Sequence, residues 1–229
     1  MKKYILIFFT LITGIYSCSK DDNSITSQPP PSSPNLVTDI DGNTYDTINI
    51  GTQVWMQQNL KTTHYNNGVA ITNLTGNNQW SDDKIGAYCF YNNDSTNKTI
   101  YGLLYNWYSV TNPAGLCPKG WHVPSDSEWA VLINYLGGDS LAGGAMKSTS
   151  LWNMPNINAT NSSGLNCFPA SFRDVDGMFN YLTDETYFWS STNANSTYAW
   201  SYNLSYKSEM VSINYYGMNC GLSIRCVKD

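Results

Sequence analysis

Only one segment of this 229-residue chain carries a full set of helix signals. At Ser125-Asp-Ser-Glu128 a serine stands three residues before a glutamate. That is the spacing of a capping box, in which the hydroxyl accepts from the N–H three residues on and the carboxylate reaches back to the serine N–H. Pro124, just before, cannot continue a helix backward. Trp129, Leu132, Ile133 and Leu136 then fall at i, i+3, i+4 and i+7, one apolar face. Gly137-Gly138 ends the pattern. One main helix is predicted over about 126–136, and a second short helix over 139–147 with Leu141 and Met146 directed inward.

Beyond residue 150 no helix signal recurs. Short aromatic runs at 165–168, 171–173, 178–182, 187–191, 198–204, 210–213 and 222–227 alternate with Asn, Ser, Gly and Asp. Such spacing predicts a meandering antiparallel sheet. Earlier, 44–50 and 53–56 read as strands about a Gly51-Thr52 turn. Residues 62–84 read as a long loop, 85–91 as a strand and 100–110 as a strand or short helix. Helices early and strands late make an α+β domain.

The chain begins with Lys2 and Lys3 and an apolar run from Tyr4 to Tyr16. The run is short of the roughly 20 residues a spanning helix needs, so residues 1–17 read as a secretory leader. Ser17-Cys18 at its end resembles a bacterial lipobox, which predicts lipidation of Cys18. Lys20-Asp-Asp22 is similar to the surface-export signal of Bacteroidota lipoproteins. Residues 18–35, rich in Ser, Pro and Asn, have too little apolar surface to fold. They form a tether of at most about 50 Å. Residues 36–229 remain as one domain with a real core. The expected location is therefore the outer membrane, held only by the lipid anchor and facing outward.

Removing the leader takes the formal net charge from −5 to −7. An acidic chain without a basic cluster argues against nucleic acid and against anionic membrane surfaces as partners. Export also makes disulfides available. Five cysteines follow Cys18, namely Cys89, Cys117, Cys167, Cys220 and Cys226. The odd number leaves at least one thiol over, and sequence alone leaves the pairing open.

Residues 115–132, GLCPKGWHVPSDSEWAVL, gather rare residue types. Cys117, His122 and Glu128 have the chemistry of a cysteine nucleophile with a base. A structural cysteine beside a packed histidine is the simpler reading. Asp174, Asp176, Asp184 and Glu185 lie in two loops and are candidate calcium ligands, although solvated turns explain them as well. No other cofactor is expected. The segment 187–219 is different, since Trp200, Tyr202, Tyr206, Tyr215 and Tyr216 are interleaved with Asn214 and other amides. On a strand Trp200, Tyr202 and Leu204 share one face. Aromatic faces stack on sugar rings, and amides both donate to and accept from hydroxyls. These six residues, Asn214 included, are the candidate ligand contacts, with core packing as the competing explanation.

The segments DIDGNTYDTINIGTQVWMQQNLKT, GAYCFYNND, YGLLYNWYSV, GLCPKGWHVPSDSEW, AGGAMK, ATNSSGLNCFPASFRD, FWSST and SIRCVKD occur in that order. Their succession resembles the Fibrobacter succinogenes major paralogous domain. The resemblance spans about 37–229 and implies a C-type-lectin-like fold, compact, with its two ends close together. Where that family has Phe-Ser-Ala-Leu-Pro-Gly-Gly, this chain has Leu165-Asn-Cys-Phe-Pro-Ala-Ser171, so Cys167 is an addition, as is Cys220. The resemblance therefore implies a core bridge Cys117–Cys226, a second pair Cys167–Cys220, and Cys89 as a buried free thiol. The function expected is non-enzymatic binding or adhesion to a glycan or surface protein. A redox enzyme of the formylglycine-generating type, using Cys220 and Cys226, and a purely structural surface protein are the alternatives.

Overall fold

A computed structural model of the protein describes residues 36–229. The leader, Cys18 and the tether lie outside the described residues. Within them the chain opens with a meander of β1 (Leu36–Thr38), β2 (Thr44–Ile50) and β3 (Gln53–Met56). Next come β4 (Thr72–Asn73), α1 (Asn77–Asp82), β5 (Ala87–Cys89), α2 (Lys98–Tyr101), β6 (Leu104–Tyr105) and α3 (Trp107–Val110). β7 (Trp121–His122) leads into α4 (Asp126–Tyr135) and α5 (Asp139–Met146). Strands then take over: β8 (Phe172–Arg173), β9 (Phe179–Asn180), β10 (Glu185–Asn193), β11 (Tyr198–Ser205), β12 (Val211–Gly217) and β13 (Val227–Lys228). The class is α+β, and every strand pair but the parallel β4–β5 is antiparallel.

The first sheet has the order β1-β2-β3-β13-β7, so the beginning and the end of the domain share one sheet. A second sheet is the meander β10-β11-β12. The run Cys220–Val227, buried throughout, joins them. Leu222 N–H donates to Tyr105 O, Ser223 N–H to Tyr187 O, and Ser223 O accepts from Trp189 N–H. Further on, Ile224 O accepts from Leu60 N–H and Cys226 O from Met56 N–H. The predicted strand 222–227 thus shrinks to its last residue, Val227, which opens β13, because its backbone partners change every residue or two. The predicted strand at 165–168 is likewise only a bridge, Lys147 to Cys167. The expected loop 62–84 holds β4 and α1, and 100–110 is part helix and part strand.

α4 carries the full capping box, with Ser125 Oγ accepting from Glu128 N–H and the Glu128 carboxylate accepting from Ser125 N–H. Its apolar face buries Trp129, Leu132 and Ile133. α5 departs from expectation, since Met146 is buried but Leu141 is 53% exposed. The face that meets the sheet is instead Ala142, Gly143, Gly144 and Met146. At Gly143 a Cβ would lie 2.5 Å from Met210 O, so only a glycine lets the helix come this close.

Among the described residues three cations are buried with no carboxylate bonded to them. Arg225 donates to Met56 O, Gln57 O, Leu165 O and Asn59 Oδ1. Arg173 donates to Leu74 O, Thr75 O, Gly177 O and Asn77 Oδ1, and its guanidinium lies 4.5 Å from the Trp80 ring centre. The Lys147 ammonium is held by Ile157 O, Ser205 O and Ser208 O, and burial pushes its pKa down to about 8. Each cation gathers main-chain carbonyls, most of them from loops and the rest from strand ends, which satisfies buried groups that would otherwise cost about 1–3 kcal/mol each.

Candidate functional site

The exposed part of the second sheet is the strongest candidate. β11 is its central strand, with Trp200 opposite Tyr215, Tyr202 opposite Ile213 and Leu204 opposite Val211 on β12. These residues share one face of the sheet, and the face has two halves. Tyr202, Leu204 and Val211 are buried in the cluster that contains Trp129 of α4 and Met146 of α5. The Tyr202 ring stacks on Trp129 at 4.8 Å, and its hydroxyl donates to Asp126 Oδ1 at 2.5 Å. Tyr198, Trp200, Ile213 and Tyr215 form the other half and reach solvent. Tyr215, 58% exposed, meets Tyr198 edge to face at 5.5 Å and Trp200 at 5.9 Å. No charged side chain occurs in β11 or β12.

A bulge in β10 between Trp189 and Asn193 fixes this face against α4. There Ser191 N–H donates to Pro124 O, and Thr192 Oγ1 accepts from Asp126 N–H. The capped helix end is thereby fastened to the sheet that displays the rings. The bulge re-aims the strand, as bulges do.

Of the six predicted ligand contacts, the structure brings Trp200 and Tyr215 together on this exposed face. Asn214 is exposed but its side chain lies on the opposite face. Tyr202 is a core residue, because α4 covers it. Tyr216 packs edge-on against Tyr187 and Phe172. Tyr206 is partly buried beside the second core cluster, with the Lys207 ammonium 5.0 Å from its ring centre. Period two from Trp200 points to Tyr198, while Ile213 requires the cross-strand register, which sequence does not display.

Cys117 and Cys226 are bridged, across a sequence separation of 109. The expected pair Cys167–Cys220 is not formed, and both are free along with Cys89. They sit in different core clusters, Cys167 with Trp129 and Cys220 with Tyr187, so no bond can join them. Burial pushes the Cys89 thiol up to about 12 and Cys167 up to about 11. Cys220 is raised too, by burial and then by neighbouring Asp174. A thiolate nucleophile needs the opposite environment.

The four candidate calcium ligands are engaged separately. Asp174 accepts from Val175 N–H, Asp176 from Met178 N–H, Asp184 from Asn153 and Glu185 from Tyr187. Among the described residues no three His, Cys, Asp or Glu side chains are grouped to hold a metal.

His122 is a clasp. Its Nδ1 lies 2.6 Å from Asp229 Oδ1 and its Nε2 2.7 Å from Glu128 Oε1. Both ring nitrogens face carboxylates, the arrangement of an imidazolium. Partial burial alone would lower the His122 pKa, but the bonds to Asp229 and Glu128 outweigh it and raise it above the ordinary 6.5. Burial alone would raise Glu128, yet Ser125 and His122 hold it below its ordinary 4.5. His64 Nδ1 lies 2.6 Å from Asp41 Oδ1.

No curated protein and no solved structure matches the chain. The Fibrobacter succinogenes major domain matches residues 48–228, most of the length and nearly all of the folded part. The matched stretch includes the capped helix, the bridge Cys117–Cys226 and the exposed aromatic face, and the chain belongs to the Fibrobacter succinogenes major domain family.

Proposed function

We propose that this protein is a lipid-anchored surface protein whose single domain, C-type-lectin-like in fold, binds a glycan or protein ligand through the face made by Tyr198, Trp200, Ile213 and Tyr215. The observation that carries the reading is the group of three rings in edge-to-face contact on two adjacent strands without a charged side chain, β11 and β12, where they reach solvent. Exposed aromatics supply large contact area at low entropic cost, which is how recognition surfaces gain affinity. The helix end fastened to the bulge holds the rings in place before a ligand arrives, and preorganisation of this kind favours binding. The lectin-like fold is supported by β1 and β13 sharing a sheet and by the meander on the far side of the buried C-terminal run. The lipid anchor and the outward location rest on Cys18 and the residues around it.

The redox alternative needs an accessible, reactive cysteine pair near the C-terminus. Cys226 is engaged with Cys117, and Cys220 is buried beside Asp174 with its proton held. Both observations favour the binding reading. The test is an array of glycans and of surface proteins probed with the full chain, followed by Trp200→Ala and Tyr215→Ala. Each truncation removes an exposed ring and is expected to weaken binding by about 2 kcal/mol, some thirty-fold. Binding unchanged in both variants would remove the aromatic face as the site.

A further inference from the structure

A second feature, independent of the aromatic face, is a cleft of about 240 Å³ lined by Asn77, Asn92, Asn93, Gly177, Met178 and Phe179. Three elements meet there: the start of α1, the tight turn at 91–93 and the turn between β8 and β9. The walls offer three side-chain amides and a half-buried phenyl ring, without a charged side chain. We propose that this cleft is a binding site for one ring of a neutral saccharide.

The state of the amides is the first argument. The Asn92 side chain is exposed and makes no hydrogen bond to any of the described residues. Asn93 Nδ2 donates to Thr75 O, which leaves its carbonyl oxygen for a ligand. Asn92 and Asn93 both hold left-handed backbone, at φ 53° and 56°. Asparagine tolerates that conformation better than most residues. Two such residues in succession turn the chain sharply at the rim of the cleft.

The second argument is the buried cation behind the wall. Asn77 Oδ1 accepts from Arg173 Nη2 at 3.2 Å, while Asn77 Nδ2 has only a 3.4 Å contact with the Met178 sulfur. An amide whose oxygen is bonded to a guanidinium is polarised, so its N–H groups donate more strongly. A thioether is a weak acceptor. Asn77 Nδ2 is therefore a strengthened donor with a poor partner, aimed at whatever oxygen enters. Arg173 also lies 4.8 Å from the Phe179 ring centre, fixing the apolar wall with the same group that polarises the amide.

Chemistry and size select the ligand. Donors and acceptors side by side, with an apolar ring, match hydroxyls on a carbon ring. An anion would meet no cation on the walls. The volume is below the roughly 300–1,000 Å³ of sites that enclose drug-sized molecules, which suits a single ring.

The test is an NMR titration of the ¹⁵N-labelled full chain, held in detergent micelles, with glucose, galactose, mannose and N-acetylglucosamine in turn. Saturable shifts at the amides of Asn77, Asn92, Asn93 and Gly177 are expected with at least one sugar. Asn92→Gly keeps the left-handed backbone and removes the free amide; it should weaken that binding about five-fold, the worth of one hydrogen bond. Asn77→Asp keeps the partner of Arg173 but turns the donor into an acceptor, and should abolish binding while thermal stability is retained. Trp200→Ala should leave the shifts unchanged. The proposal is overturned if none of the four sugars shifts these amides, if Asn92→Gly and Asn77→Asp both bind like the native chain, or if the shifts follow Trp200→Ala instead.

Discussion

The bridge Cys117–Cys226 makes the sharpest quantitative prediction. It joins the segment just before the capped helix to the last strand, 109 residues away. In the chain-entropy treatment, closing a loop of about that length removes roughly 16 cal/mol/K from the unfolded ensemble, or about 4.8 kcal/mol at 25 °C. A domain of this kind is stable by only about 5–15 kcal/mol. Replacing both cysteines by alanine should therefore lower the unfolding free energy by about 4–5 kcal/mol, a large part of the total. The fold itself should persist, because Arg225 and the pairing of β13 with β3 and β7 still hold the C-terminal run. Urea unfolding of the double variant and of the native chain, with and without reductant, measures the difference. Reductant should bring the native chain to the variant's midpoint and leave the variant unmoved. A loss below about 1 kcal/mol would refute the reasoning, for it would mean the two segments stay together in the unfolded chain.

Two further outcomes follow from buried and clasped charges. The raised pKa of His122 contributes stability that is fully present below the ordinary 6.5 and is lost as pH rises through the higher folded value. Urea midpoints should thus fall in the native chain as pH rises above the ordinary 6.5 and stay flat over the same range in His122→Gln; parallel curves would remove the clasp as a titrating group. Glu128, held below 4.5, works in the other direction, and its share is lost as pH falls through its lowered value. Arg225→Met leaves Gln57 O, Leu165 O and Asn59 Oδ1 without their donor. A loss of about 3 kcal/mol is expected after allowing for relief from burying a charge, and a variant as stable as the native chain would show that water replaces the guanidinium.

What was legible in the sequence is what depends on near neighbours. The capping box, the helix that follows it and the hairpin around Gly51 are local, and each stands where its signals put it, to within a residue at the helix end. The bridge was legible only through family resemblance. Pairing Cys167 with Cys220 failed because the clusters that separate them are assembled by distant segments. Tyr202 and Trp200 have the same period on one strand, yet α4 covers the first and leaves the second open. That distinction belongs to the docking of the helix, which no stretch of β11 encodes. The carbonyl cages around Arg173, Arg225 and Lys147 were invisible for the same reason, since main-chain oxygens leave no trace in composition. Leu141 misled because two glycines, and not the largest apolar residue, choose the face on which α5 packs.

The three buried free thiols among the described residues can serve as clocks. Cys89 lies with Trp80, Cys167 with Trp129 and Cys220 with Tyr187, one in each part of the core. A thiol reagent added to the folded protein reacts with each only when its own surroundings open. Three equal rates would mean that the domain opens as one body. Three different rates would rank its regions by how often each comes apart, without a single substitution being made.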